Sequence, residues 1–156
     1  MTVVRNRGFT LVEILIVVVI LGILAAIVIP QFTSASQEST IAALSRQLQS
    51  IDHQIELYRA ANAGRFPTDD PVNPVGVAEV NNGWGVLVSE NYMQAEPLNM
   101  FTGSTLLVQG EEADALAGTR DSEEGWVYEV TPVAMTVWAM GFDEANQVLG
   151  GGEGAE

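Results

Sequence analysis

The reading turns on residues 8 to 30, GFTLVEILIVVVILGILAAIVIP. From Ile14 to Ile29 no side chain carries a charge or a hydrogen-bonding group, and with Phe9 to Val12 in front the apolar run covers 21 residues, broken only by Glu13. At about 1.5 Å per residue such a run reaches roughly 31 Å as a helix, one hydrocarbon thickness of a bilayer. Residues 9–30 therefore read as a transmembrane helix.

The flanks orient it. Arg5 and Arg7 in the leader MTVVRNRG are followed by no basic residue until Arg46. Positive charge stays on the cytoplasmic side, so the N-terminus is expected in the cytoplasm and residues 31–156 across the membrane. A secretory signal peptide, cut after the small residues Thr33 to Ser36, is the rival, but its apolar region is normally shorter and carries no acid at its head.

After Pro30 the pattern becomes amphipathic. Ile41, Leu44, Leu48, Ile51, Ile55 and Tyr58 recur at spacings of 3 and 4, one stripe of a helix that continues to about Asn62, ends at Gly64 and is barred from resuming by Pro67. Gly22 and Pro30 are the positions where a kink is expected. Residues 63–103 carry loop signals, with a short helix available between Trp84 and Tyr92. Ser104–Gln109, Trp126–Val130 and Ala134–Met140 are rich in β-branched and aromatic residues and read as strands, the last two as a hairpin. The predicted fold class is α+β: a long N-terminal helix packed on a three-stranded antiparallel sheet at 104–142, inside an extracytoplasmic domain 31–149. The tail 150–156 reads as disordered.

Composition removes whole classes of function. The 156 residues allow one modest domain. Twenty acids against six arginines and no lysine give a formal charge of −14, which repels phosphate backbones and argues against nucleic acid as a partner. Without cysteine there is no disulfide or thiolate chemistry. His53 is the single histidine and falls on the polar side of the stripe, and no nucleophile elbow, phosphate loop or zinc-helix motif occurs. An enzyme is not expected. The acids of segment 110–124, with Asp114, Asp121 and Glu123 foremost, are weak calcium candidates to which Asp69, Asp70, Asp143 and Glu144 might add ligands; they follow no EF-hand order, and a solvated loop is the plainer reading.

The segment GFTLVE, Gly8 to Glu13, between a short basic leader (1–8) and a long apolar helix, resembles the class III signal of type IV pilins and type II secretion pseudopilins. The resemblance implies that a membrane prepilin peptidase recognises the leader, Arg5 and Arg7 included, and cuts after Gly8. It implies that Phe9 becomes an N-methylphenylalanine and that the subunit polymerises through its apolar helix. Glu13 would then meet the cationic amine of a neighbouring Phe9; the alternative is a local capping box from Thr10 to Glu13, and the two are compatible. GRFPTDD, Gly64 to Asp70, is similar to the loop opening of major pseudopilins, whereas EPLNMFTG, Glu96 to Gly103, stands where that group usually shows an Asp-Pro-Trp-Gly-like box. The implied partners are copies of the chain in a helical filament, minor pseudopilins and an inner-membrane assembly platform driven by a cytoplasmic ATPase. A type IV pilus or DNA-uptake pilin, and an anchored binding domain that never polymerises, stay open as alternatives.

Overall fold

A computed structural model describes residues 9–150, excepting the side chains of residues 28–34. The chain divides into two compact units, residues 1–38 and 39–156, described separately below. Helix α1, Leu11–Ala61, runs through both, and its helical assignment is unbroken at Gly22 and Pro30.

In the first unit α1 has no inside. Every large apolar residue of the helix from Leu11 to Ile27 is exposed, between 48 % at Val17 and 82 % at Leu11. A helix apolar on all faces is at home in lipid or within a bundle, not alone in water. Among the described residues no helix is long and apolar enough to cross a membrane; the run seen in the sequence continues through Val28 and Ile29, whose side chains lie outside them.

In the second unit the stripe behaves as its spacing predicts. Leu44, Leu48, Ile51, Ile55 and Tyr58 are 0–3 % exposed, with Ile41 packed at the edge. Burying each contributes about 1.5–3 kcal/mol. The helix ends in a Schellman turn, in which Gly64 N–H donates to Arg59 O at 2.8 Å. The residue in the left-handed region at C′ is Ala63 (φ 57°), one place before the expected glycine.

The sheet corrects the sequence expectation. Its order is β1 (Leu107–Gln109), β2 (Trp126–Val130), β3 (Met135–Ala139), with β2 and β3 antiparallel but β1 and β2 parallel. The sheet is mixed because the segment from Gly110 to Gly125 is long enough to carry the chain back to the starting end of β1, which a parallel pair requires. That segment is not only a solvated loop: it holds α3, Glu112–Leu116. The expected helix between Trp84 and Tyr92 is the single turn α2, Val86–Ser89. A two-stranded ladder of β4 (Phe142–Asp143) and β5 (Val148–Leu149) follows the sheet. Gly150 N–H still donates to Gly141 O, so the last described residue is anchored; the tail at 151–156 lies outside the described residues.

Register selects the faces. Trp126 pairs with Ala139, Tyr128 with Val137 and Val130 with Met135, which places one face against the α1 stripe. The opposite face carries Val127 and Met140 under Ala115 of α3, with Val108 and Trp138 at the rim. Both faces being covered, Trp126, Val127 and Tyr128 are all buried in succession. Trp84 and Trp126 meet edge to face at 6.0 Å, and each indole N–H is satisfied by a carbonyl, Thr105 O at 2.7 Å and Pro97 O at 2.9 Å.

Two substitutions test this packing in full-length protein unfolded by denaturant in detergent. Leu48→Ala opens a cavity under the sheet and is expected to cost about 2–5 kcal/mol, whereas the same change at the largely exposed Leu57 costs under about 0.5 kcal/mol. Ala63→Gly relieves the left-handed residue at the helix end and is expected to add about 1 kcal/mol.

Candidate assembly site

At the start of α1 the backbone N–H groups have no preceding turn to bond. Thr10 and Glu13 close this end reciprocally: Glu13 N–H donates to Thr10 Oγ1 at 3.2 Å, while Thr10 N–H and Thr10 Oγ1–H donate to Glu13 Oε2 at 2.8 and 2.7 Å. This is a capping box with the carboxylate at the positive end of the helix. Both donations from Thr10 fall on one oxygen, so Oε1 is not engaged by Thr10. Glu13 is the only ionisable side chain between Phe9 and Ile27. Phe9, next to the box, is 79 % exposed. A Cβ added at Gly22 would meet nothing within 4 Å, so no packing within this chain demands glycine there. Arg5, Arg7 and Gly8, together with the Pro30 side chain, lie outside the described residues.

Three of the acids named as calcium candidates make local hydrogen bonds. Asp114 Oδ2 accepts from Glu111 N–H at 2.9 Å and caps α3. Asp70 accepts from the N–H groups of Val72 and Asn73 at 3.0 and 2.8 Å and from the Tyr58 hydroxyl at 3.1 Å. Asp143 accepts from the backbone and side chain of Asn146 at 2.9 and 2.7 Å. Asp121 and Glu123 are exposed. Among the described residues no three acids or histidines converge as a metal site.

An open groove of about 460 Å³ beside α1 is lined by amides, Ser50, Ile51, Tyr92 and Met93, with no acid or histidine, and His53 is exposed. Arg59 pairs with Glu56 at 2.7 Å and lies over the Phe66 ring, contacts of a surface kind.

A residue that periodicity did not single out organises the domain. Asn99 is fully buried, donating from Nδ2 to Gly125 O (2.6 Å) and Met140 O (3.0 Å) while Oδ1 accepts from Phe101 and Thr102 N–H (2.7 and 3.2 Å). It ties the EPLNMFTG segment to both strands of the β2–β3 hairpin at its open end. The sole hint in the sequence is one amide between Leu98 and Met100.

The chain thus joins a long helix with a capped, acid-bearing and otherwise apolar start to a small sheet domain. Residues 4–29 match the family model described as the prokaryotic N-terminal methylation motif. The chain is homologous to type II secretion system core protein G: it is 32 % identical to that of Dickeya chrysanthemi over 95 residues, 61 % of this chain and 54 % of the relative. Against core protein G of Escherichia coli K12 it is 26 % identical over 139 residues, 81 % of this chain and 90 % of the relative. Against the type IV major pilin protein PilA of Myxococcus xanthus it is 42 % identical over 89 residues, 54 % and 38 % of the two chains. The chain spans about half the length of the Dickeya relative. No solved structure matches it.

Two carboxylates give opposite pH signatures. Burial, then the nearby Glu144 and Glu56, push the Asp52 carboxyl above its ordinary range. The Asn73 N–H foremost, with the Val72 N–H and the Tyr58 hydroxyl, holds Asp70 below its range, and burial with the Asp70 bond pushes the Tyr58 phenol up to about 12. A raised acid penalises the folded state above its folded pKa and ceases to do so below the unfolded value; a depressed acid stabilises above the unfolded value and loses this as pH falls through its folded pKa. Asp52→Asn is therefore expected to raise the thermal midpoint at pH 7 slightly and Asp70→Asn to lower it, both differences shrinking toward pH 3 in a calorimetric series.

Proposed function

We propose that this chain is a structural subunit of a type II secretion pseudopilus. The observation that carries the reading is the sleeve from Leu11 to Ile27, apolar and exposed on every face, with Glu13 alone at its head. Such a surface has two fitting environments, a bilayer before assembly and a bundle of like helices after it. A subunit with both is stored in the inner membrane, N-terminus in the cytoplasm and domain in the periplasm, and is then extracted into a filament spanning the periplasm.

Cleavage after Gly8 frees the amine of Phe9, which is then methylated, and places a cation beside a carboxylate. An acid at membrane depth costs about 2.5–3.5 kcal/mol. Pairing Glu13 with the Phe9 amine of a neighbour removes that cost only when subunits stack at one axial offset, so the pair sets the register. The intramolecular cap and the intermolecular pair use different parts of one side chain, since Thr10 takes Oε2. Such contacts are heterologous and propagate instead of closing. The prepilin peptidase, an inner-membrane platform and minor pseudopilins are the partners this assembly needs; the sheet domain faces outward and carries no catalysis.

Intact-mass measurement and N-terminal sequencing of protein extracted from its native membrane should find a chain beginning at methylated Phe9. A start at Met1 or Thr2 would mark a permanent anchor, and one near Gln37 a secreted protein. Glu13→Ala is expected to leave cleavage and insertion intact while abolishing filaments; normal filaments would sink the pairing. Deletion of the chain should trap exported proteins in the envelope, whereas loss of surface fibres with export intact would point to the pilin alternative suggested by the Myxococcus relative.

A further inference from the structure

Between the loop and α2 the chain makes a left-handed turn through three successive residues, Asn81 (φ 51°), Asn82 (φ 50°) and Gly83 (φ 89°). The fold dictates these residue types. Asparagine is among the few non-glycine residues that visit this region routinely. At position 83 the conformation is left-handed and a Cβ would collide with the Leu107 carbonyl of β1, so only glycine fits. The geometry thus requires glycine at 83 and favours asparagine at 82, and the resulting Asn-Gly dipeptide is the pair most prone to spontaneous deamidation because no side chain on the following residue shields the attacking nitrogen.

In that reaction the backbone nitrogen of Gly83 attacks Cγ of Asn82. The new C–N bond closes a five-membered imide, the Cγ–Nδ2 bond breaks, and ammonia departs with the proton given up by the Gly83 N–H. Water then opens the imide at either carbonyl to give aspartate or isoaspartate. No other reactant is needed.

In the folded domain both reacting groups are tethered. The leaving amide, Asn82 Nδ2, donates to Glu96 Oε2 at 2.9 Å and to Thr105 Oγ1 at 3.0 Å. The attacking group, Gly83 N–H, is buried and donates to Val80 O at 3.2 Å. The turn is locked further by Trp84 N–H to Asn81 O at 2.9 Å, Gly76 N–H to Gly83 O at 2.7 Å and Asn81 Nδ2 to Gly85 O at 3.1 Å. We propose that Asn82–Gly83 is a latent deamidation site, held unreactive by the Glu96–Asn82–Thr105 clamp and released when the turn opens. The reaction is one-way. A carboxylate at 82 cannot donate to Glu96 and repels it, and isoaspartate adds a methylene to a turn packed against β1, so a chain that has once opened long enough to react cannot restore the clamp.

The test is peptide mapping of the full-length protein in detergent at mildly alkaline pH, following the gain of about 1 Da and the isoaspartate product at residue 82 with time. Folded wild type is expected to react about tenfold slower, or slower still, than the same chain in urea. Equal rates would remove the guard, and absence of reaction in urea would remove the site. Glu96→Ala, and Glu96→Ala with Thr105→Ala, are each expected to speed the reaction at 82 several-fold with an unchanged thermal midpoint. Folded variants that react at the wild-type rate would overturn the role of the clamp; should the double variant not fold, the single variant and the wild-type comparison still decide it.

Discussion

The apolar stripe of α1 from Ile41 to Tyr58 is the constraint on which the domain is built. One helix face must be covered, and the chain beyond it supplies a sheet as the cover. Leu44, Leu48, Ile51, Ile55 and Tyr58 therefore meet Trp84, Leu107, Trp126, Val137 and Phe142 in one core. With one sheet face thus occupied, the other needs its own cover, and α3 with Ala115 supplies it. The parallel pairing of β1 and β2 follows from the same demand, since the connection that crosses back is also the one that carries the covering helix.

Above this domain the same helix obeys a different rule. From Leu11 to Ile27 no face is polar, and solvation has to come from lipid or from other chains. Only the start of the helix is polar, and Thr10 and Glu13 satisfy it between them. The residues after Ser39 carry the contacts that hold the domain together, whereas the apolar residues from Leu11 to Ile27 are exposed.

Legibility in the sequence tracked periodicity. The stripe was readable because six residues repeat at 3 and 4, and the hairpin because alternating Trp126, Tyr128 and Val130 face Met135, Val137 and Ala139 across a short turn. The Thr10–Glu13 capping box was readable because one acid stands in an apolar run three residues after a threonine. Strand direction was not readable, since side-chain alternation is identical in parallel and antiparallel pairs. Helix α3 was hidden because five residues give no helical period, and the capping role of Asp114 shows only once the turn is built. Asn99 was hidden for another reason: a buried amide that satisfies four backbone groups is specified by tertiary geometry alone.

The mixed sheet bears on the order of events as well as on shape. The α1 stripe is complete by Tyr58, yet its partners extend to Phe142, and the parallel pair closes only after α3 has crossed. Contacts so distant in sequence make folding slow, in the range of about milliseconds to seconds rather than microseconds. The amphipathic half of α1 must wait, with its apolar face uncovered, until nearly the whole chain has emerged. During that interval the stripe is an apolar face whose cover is still to come, the kind of surface that associates with other chains before it folds.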